Sequence, residues 1–143
     1  MKRVALYGTV FVLIHLVINL LHGRAHTELR IGLSSFQLLF VVGVIMIGPL
    51  LALALLWTRR QRLGLVLLTA SMAGACVFGL YYHFVVPSPD HVAHVPQGYW
   101  GDLFRMTAVL LALSEALGAV LGLVWLRAQA KPVNAANAYR MAS

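Results

Sequence analysis

The residues of this chain best suited to chemistry are six histidines and four acids, and their spacing is uneven. His15, Asn19, His22 and His26 fall at i, i+4, i+7 and i+11. At 100° per residue they form one polar stripe about 60° wide on a helix, provided that the helix continues past Gly23. Further along, His83 closes an apolar run, and Asp90, His91 and His94 follow within a Pro-rich segment. Imidazole is the commonest protein ligand for first-row transition metals, and a carboxylate can complete the donor set or orient an imidazole from behind. His22, His26, His83, Asp90, His91 and His94 are therefore the candidate ligands for Zn, Cu, Fe or Mn.

Those residues need elements to carry them, and the composition says which. The chain has 143 residues, 61 % apolar and 10 % charged, too apolar for an ordinary soluble domain or a disordered segment. Four runs, residues 4–21, 36–57, 63–86 and 103–126, are long and apolar enough to cross a bilayer as helices. None shows the alternation of a membrane β-strand. The fold expected is an all-α integral membrane protein, an up-down bundle of four transmembrane helices. Residues 1–130 make one domain, and 131–143 are a loose cytoplasmic tail.

The net charge of +7 has a topological reading. Lys2, Arg3, Arg59, Arg60, Arg62, Arg127, Lys131 and Arg140 fall on one side of the four spans, and Arg24, Arg30 and Arg105 on the other. Basic residues stay inside, which puts both termini in the cytoplasm of a cell with an inner (plasma) membrane and removes nucleic acid as a partner. Trp57 and Trp125 inside, with Tyr81, Tyr82, Tyr99 and Trp100 outside, fit aromatic belts. The first run competes with a signal peptide cut near Gly23-Arg24-Ala25, but it is longer than such a segment and carries His15 and Asn19.

On this topology His22, His26, His83, His91 and His94, with Glu28, Asp90 and Asp102, all lie at the outer ends of the helices. A Ser88 cap, Pro89 at a first helical position and Pro96 as a stop predict a short helix over 89–95, with His91 and His94 adjacent on one face. The third span carries Thr69, Met72, Cys76, Gly79 and His83 along one face. Thioether and thiol suit Cu(I), yet Met and Cys at helical spacing more often simply pack.

In the fourth span Ser114, Gly118 and Gly122 are four apart, a small-residue face for close helix packing within the bundle, with a second copy or with a larger membrane partner. Glu115 lies 11 residues from the inner end of its span, as His15 does from the start of the first run. The two are expected to pair near midplane, as structural glue or as a step for a proton. Pro49 beside Gly48 suggests a kink.

Three functions compete on these residues. The first is an outer-face metal site for sensing, delivery, transport or redox chemistry. The second is electron transfer through a b-type haem held by His22 and His83 from the diagonal first and third helices. The third is a non-catalytic subunit that packs against a larger partner. No nucleophile triad, phosphate loop or H-E-x-x-H helix points to an enzyme, and no internal repeat marks an inverted-repeat transporter.

Overall fold

In the computed structural model, which describes residues 2–130, four long helices follow one another: α1 (Lys2–Glu28), α2 (Ser35–Leu56), α3 (Gln61–Val85) and α4 (Tyr99–Ala130). There is no strand among the described residues. All four are long and apolar enough to cross a membrane. Their outward faces are Leu and Val rather than charge, with Leu39 73 % and Val77 69 % exposed, a surface that only lipid or apolar protein would cover at low cost. The expected tail, 131–143, lies outside the described residues.

The helix contacts close a ring: α1 with α2, α2 with α3, α3 with α4 and α4 with α1. That leaves α1 and α3 facing each other across the diagonal. At the Lys2 end the ring is filled by an apolar core of Ala5, Val12, Ala52, Leu56, Leu65, Leu68 and Met72. Trp57 Nε1 donates to Thr9 Oγ1 at 3.0 Å and ties the end of α2 to the start of α1. Met72 is fully buried in this core, and the Cys76 thiol donates to the Ala112 carbonyl at 3.8 Å, so both are occupied by packing.

Gly118 and Gly122 are spent inside the bundle. A Cβ on Gly118 would stand 2.7 Å from Phe11 of α1 and 2.9 Å from Met72 of α3, and one on Gly122 would collide with Thr69 of α3. The missing side chains let three helices close on one another, as small residues do where no hydrophobic effect drives helix association.

Three local features bear on the reading above, and the third departs from it. First, α1 runs through Gly23 to Glu28, where Ile31 N bonds His26 O at 3.0 Å and Arg30 N bonds Thr27 O at 3.2 Å, with Arg30 at φ +55 in the left-handed position that ends many helices. Second, the irregularity in α2 falls just before Pro49, as a π-helical stretch over Val41–Ile47. Pro49 has no N–H and its ring crowds the carbonyl four residues back, so the preceding turn widens. Third, the helix expected over 89–95 does not form; the segment is a series of turns. One of its amides is engaged elsewhere. Pro87 leaves the His83 carbonyl without its helical donor, and Val92 N supplies that bond at 3.0 Å.

Candidate metal centre

The long first helix delivers the stripe intact. His15 and His22 are buried, His26 is half-buried, and all lie on the side of α1 that faces the bundle. On the diagonal, α3 ends in a π turn over Tyr81–Val85 that contains His83, also buried. His22, His26 and His83 each offer one ligand atom, and the three atoms lie within 4.8 Å of one another. The His22 ring centroid is 4.9 Å from both of the others, edge to face.

Each imidazole is held from one side. His83 Nδ1 is 3.0 Å from the Asp90 carbonyl, and His26 Nδ1 makes a looser contact of 3.5 Å with the Ile31 carbonyl. A carbonyl only accepts, so in the neutral ring Nδ1 carries the proton and Nε2 keeps its lone pair. His22 Nδ1 is 2.8 Å from Thr107 Oγ1, whose own proton goes to the Leu103 carbonyl at 2.6 Å. The hydroxyl can then only accept from His22, and the outcome is the same. Metal-ligating histidines are oriented in this way, by an oxygen acceptor behind the ring.

Asp90 turns inward from the 87–98 loop. Its Oδ1 stands 3.2 Å from His26 Nε2 and 3.3 Å from His83 Nδ1, at ion-pair distance without hydrogen-bond alignment. Two polar atoms of the cluster, His22 Nε2 and Asp90 Oδ1, are therefore buried with no hydrogen-bond partner. Asp90 Oδ1 keeps its ion-pair contacts, whereas an orphan such as His22 Nε2 costs about 1–3 kcal/mol and calls for an explanation.

The loop is fixed from outside by α4. Arg105 Nε donates to Val92 O at 3.1 Å, and its Nη2 donates to the carbonyls of Val95 and Pro96. Gly101 supplies the room for this: a Cβ there would overlap Pro96 O. Phe104, with no exposed surface, backs all three imidazoles at centroid distances of 4.7, 5.1 and 5.4 Å.

His91 and His94 are not in this cluster. Their rings pair with each other at 5.0 Å on the outside of the loop, because turns rather than a helix carry them. Glu28 pairs with Arg24, and Asp102 with Arg105. Thr107, Phe104 and Arg105 are the contributors that spacing alone did not single out for this site. The i+3 step from Phe104 to Thr107 on α4 is the signal that could have found two of them.

Towards midchain a cavity of about 430 Å3 opens beside the cluster, lined by His22, His26, His83 and Asp90 at one end and by Asn19 and Glu115 at the other. Here His15 Nε2 and Glu115 Oε1 are 3.2 Å apart, both residues 2 % exposed, and Asn19 Nδ2 adds a contact of 3.1 Å to the same ring nitrogen.

What fold and site define together is a bundle of four membrane-length helices with a buried imidazole cluster and an inward carboxylate at one end. Set against protein-family models, curated proteins and solved structures, the chain has no match. Its chemistry has to be read from its own residues.

Proposed function

We propose that this is a multi-pass membrane protein that binds one first-row divalent metal ion through His22, His26, His83 and Asp90, at the extracytoplasmic end of a bundle in the inner membrane with both termini cytoplasmic. The observation that carries the reading is the cluster itself: three imidazole ligand atoms within 4.8 Å of one another, His22 Nε2 buried among them without a hydrogen-bond partner, and the Asp90 carboxylate against His26 and His83. A cation would answer His22 Nε2 and neutralise the Asp90 carboxylate at once.

The donor set narrows the metal. Three imidazoles and a carboxylate with no sulfur suit Zn2+ or a harder divalent ion, and Met72 and Cys76 being occupied elsewhere argues against Cu(I). At tetrahedral Zn2+ the ligand atoms stand about 3.3 Å apart, so the three imidazole ligand atoms, now within 4.8 Å of one another, need only a small closure. Four protein ligands leave no vacant position for substrate, which supports holding, sensing or passing on a metal over hydrolysis. A haem between His22 and His83 is the weaker reading. Their rings are already in edge contact, with His26 and Phe104 against them, and a macrocycle would have to separate them.

Elemental analysis and a visible spectrum of untagged, detergent-purified protein test this. The outcome expected is one metal per chain with no Soret band, lost in His22→Ala, held more weakly in Asp90→Ala and retained unchanged in His91→Ala. A Soret band, or no metal even after reconstitution, overturns it.

A further inference from the structure

A second cavity, of about 470 Å3, lies against the 87–98 loop. It is lined by Arg30, Gln37, Tyr82, Ser88 and His94, and it shares two residues with the inner cavity, Ile31 and Asp90. Those two residues are the partition, and their carbonyls are the ones that face His26 and His83. One wall therefore separates an outer vestibule from the buried imidazoles and holds two of them in place. Asp90 is the wall's only ionisable side chain.

The vestibule has its own donor. His94 is exposed, and its Nδ1 is 3.0 Å from the Ser88 carbonyl, which leaves the Nε2 lone pair free in the neutral ring. His91 differs: its Nδ1 accepts from Ala93 N at 3.1 Å, so its neutral ring carries the proton on Nε2. Arg30 and Asp90 bring opposite charges to this space, so electrostatic attraction alone would not gather cations there. An imidazole would.

We propose that His94 is a capture ligand for a divalent metal ion on its way in, handing it past Asp90 to the buried site, and is not a ligand of the final complex. The proposal rests on the metal reading above. A transient site off the ground state lowers the barrier to binding and release alike, and leaves the equilibrium unchanged.

The test is stopped-flow uptake of Co2+ by the full-length, untagged protein in detergent, followed by the visible band of the bound ion, with release measured by chelator chase. His94→Ala and His94→Gln should both slow association and dissociation by the same factor. That factor should be about tenfold, the low end of the range over which on-rates vary among mutants of one site. Affinity and stoichiometry should stay as in the wild type. Unchanged rates in both variants overturn the capture role. So does faster release with weakened affinity, which would make His94 a ligand of the final site. If the wild type itself takes up no Co2+, the metal reading fails first.

Discussion

His22 Nδ1 and Thr107 Oγ1, 2.8 Å apart, join α1 to α4 at the level of the imidazole cluster. Because the threonine proton is committed to Leu103, this one contact sets which nitrogen of His22 is left to bind. Thr107→Val keeps the shape and removes the acceptor, so metal affinity should fall about 10- to 100-fold, the usual effect of losing such a support. Thr107→Ser should restore most of it. Isothermal titration of Co2+ into both variants checks this.

Arg105 reaches three loop carbonyls and so determines where Asp90 points. In Arg105→Met the loop carbonyls lose their donor, while His22 and His26 keep their supports on Thr107 and Ile31. Metal should still bind, but with a solvent ligand in place of the carboxylate. The Co2+ spectrum should then show a coordination change that Asp90→Ala reproduces and does not add to.

Glu115 and His15 pair at 3.2 Å in the bundle interior, and Glu115 Oε2 is buried without a partner. Glu115→Ala leaves His15 with Asn19 alone and should cost about 1–3 kcal/mol, measured as a lower denaturation midpoint in detergent. Glu115→Gln should recover part of that loss. Metal stoichiometry should be unchanged in both, since neither residue is among the four proposed ligands.

Gly118 faces Phe11 and Met72 within the chain. Gly118→Leu should therefore lower stability by about 1–3 kcal/mol through overpacking. A mutant that keeps its thermal midpoint but changes oligomeric state by analytical ultracentrifugation would instead place this face between chains.

What the sequence determined by itself was set by the solvent the chain is built for. Long apolar runs in Val4 to Leu21 and its three counterparts have few ways to satisfy their backbone other than as helices, and the stripe from His15 to His26 follows from helical periodicity alone. The extension of α1 beyond Gly23 was conditional on that reading, and the amides after it close the helix only at Ile31.

Tertiary structure decided which histidines meet. His22 and His83 lie 61 positions apart, and only the ring of helix contacts brings α1 and α3 face to face. Local caps and prolines favour a short helix over 89–95, yet the segment forms turns. Those signals say nothing of the distant demands on the same backbone: His83 needs a donor, and Arg105 draws three carbonyls outward. Meeting them turned Asp90 into the cluster and left His91 and His94 outside. Local sequence encodes periodicity and caps; which orphaned polar group is answered by which remote partner is settled only when the helices pack.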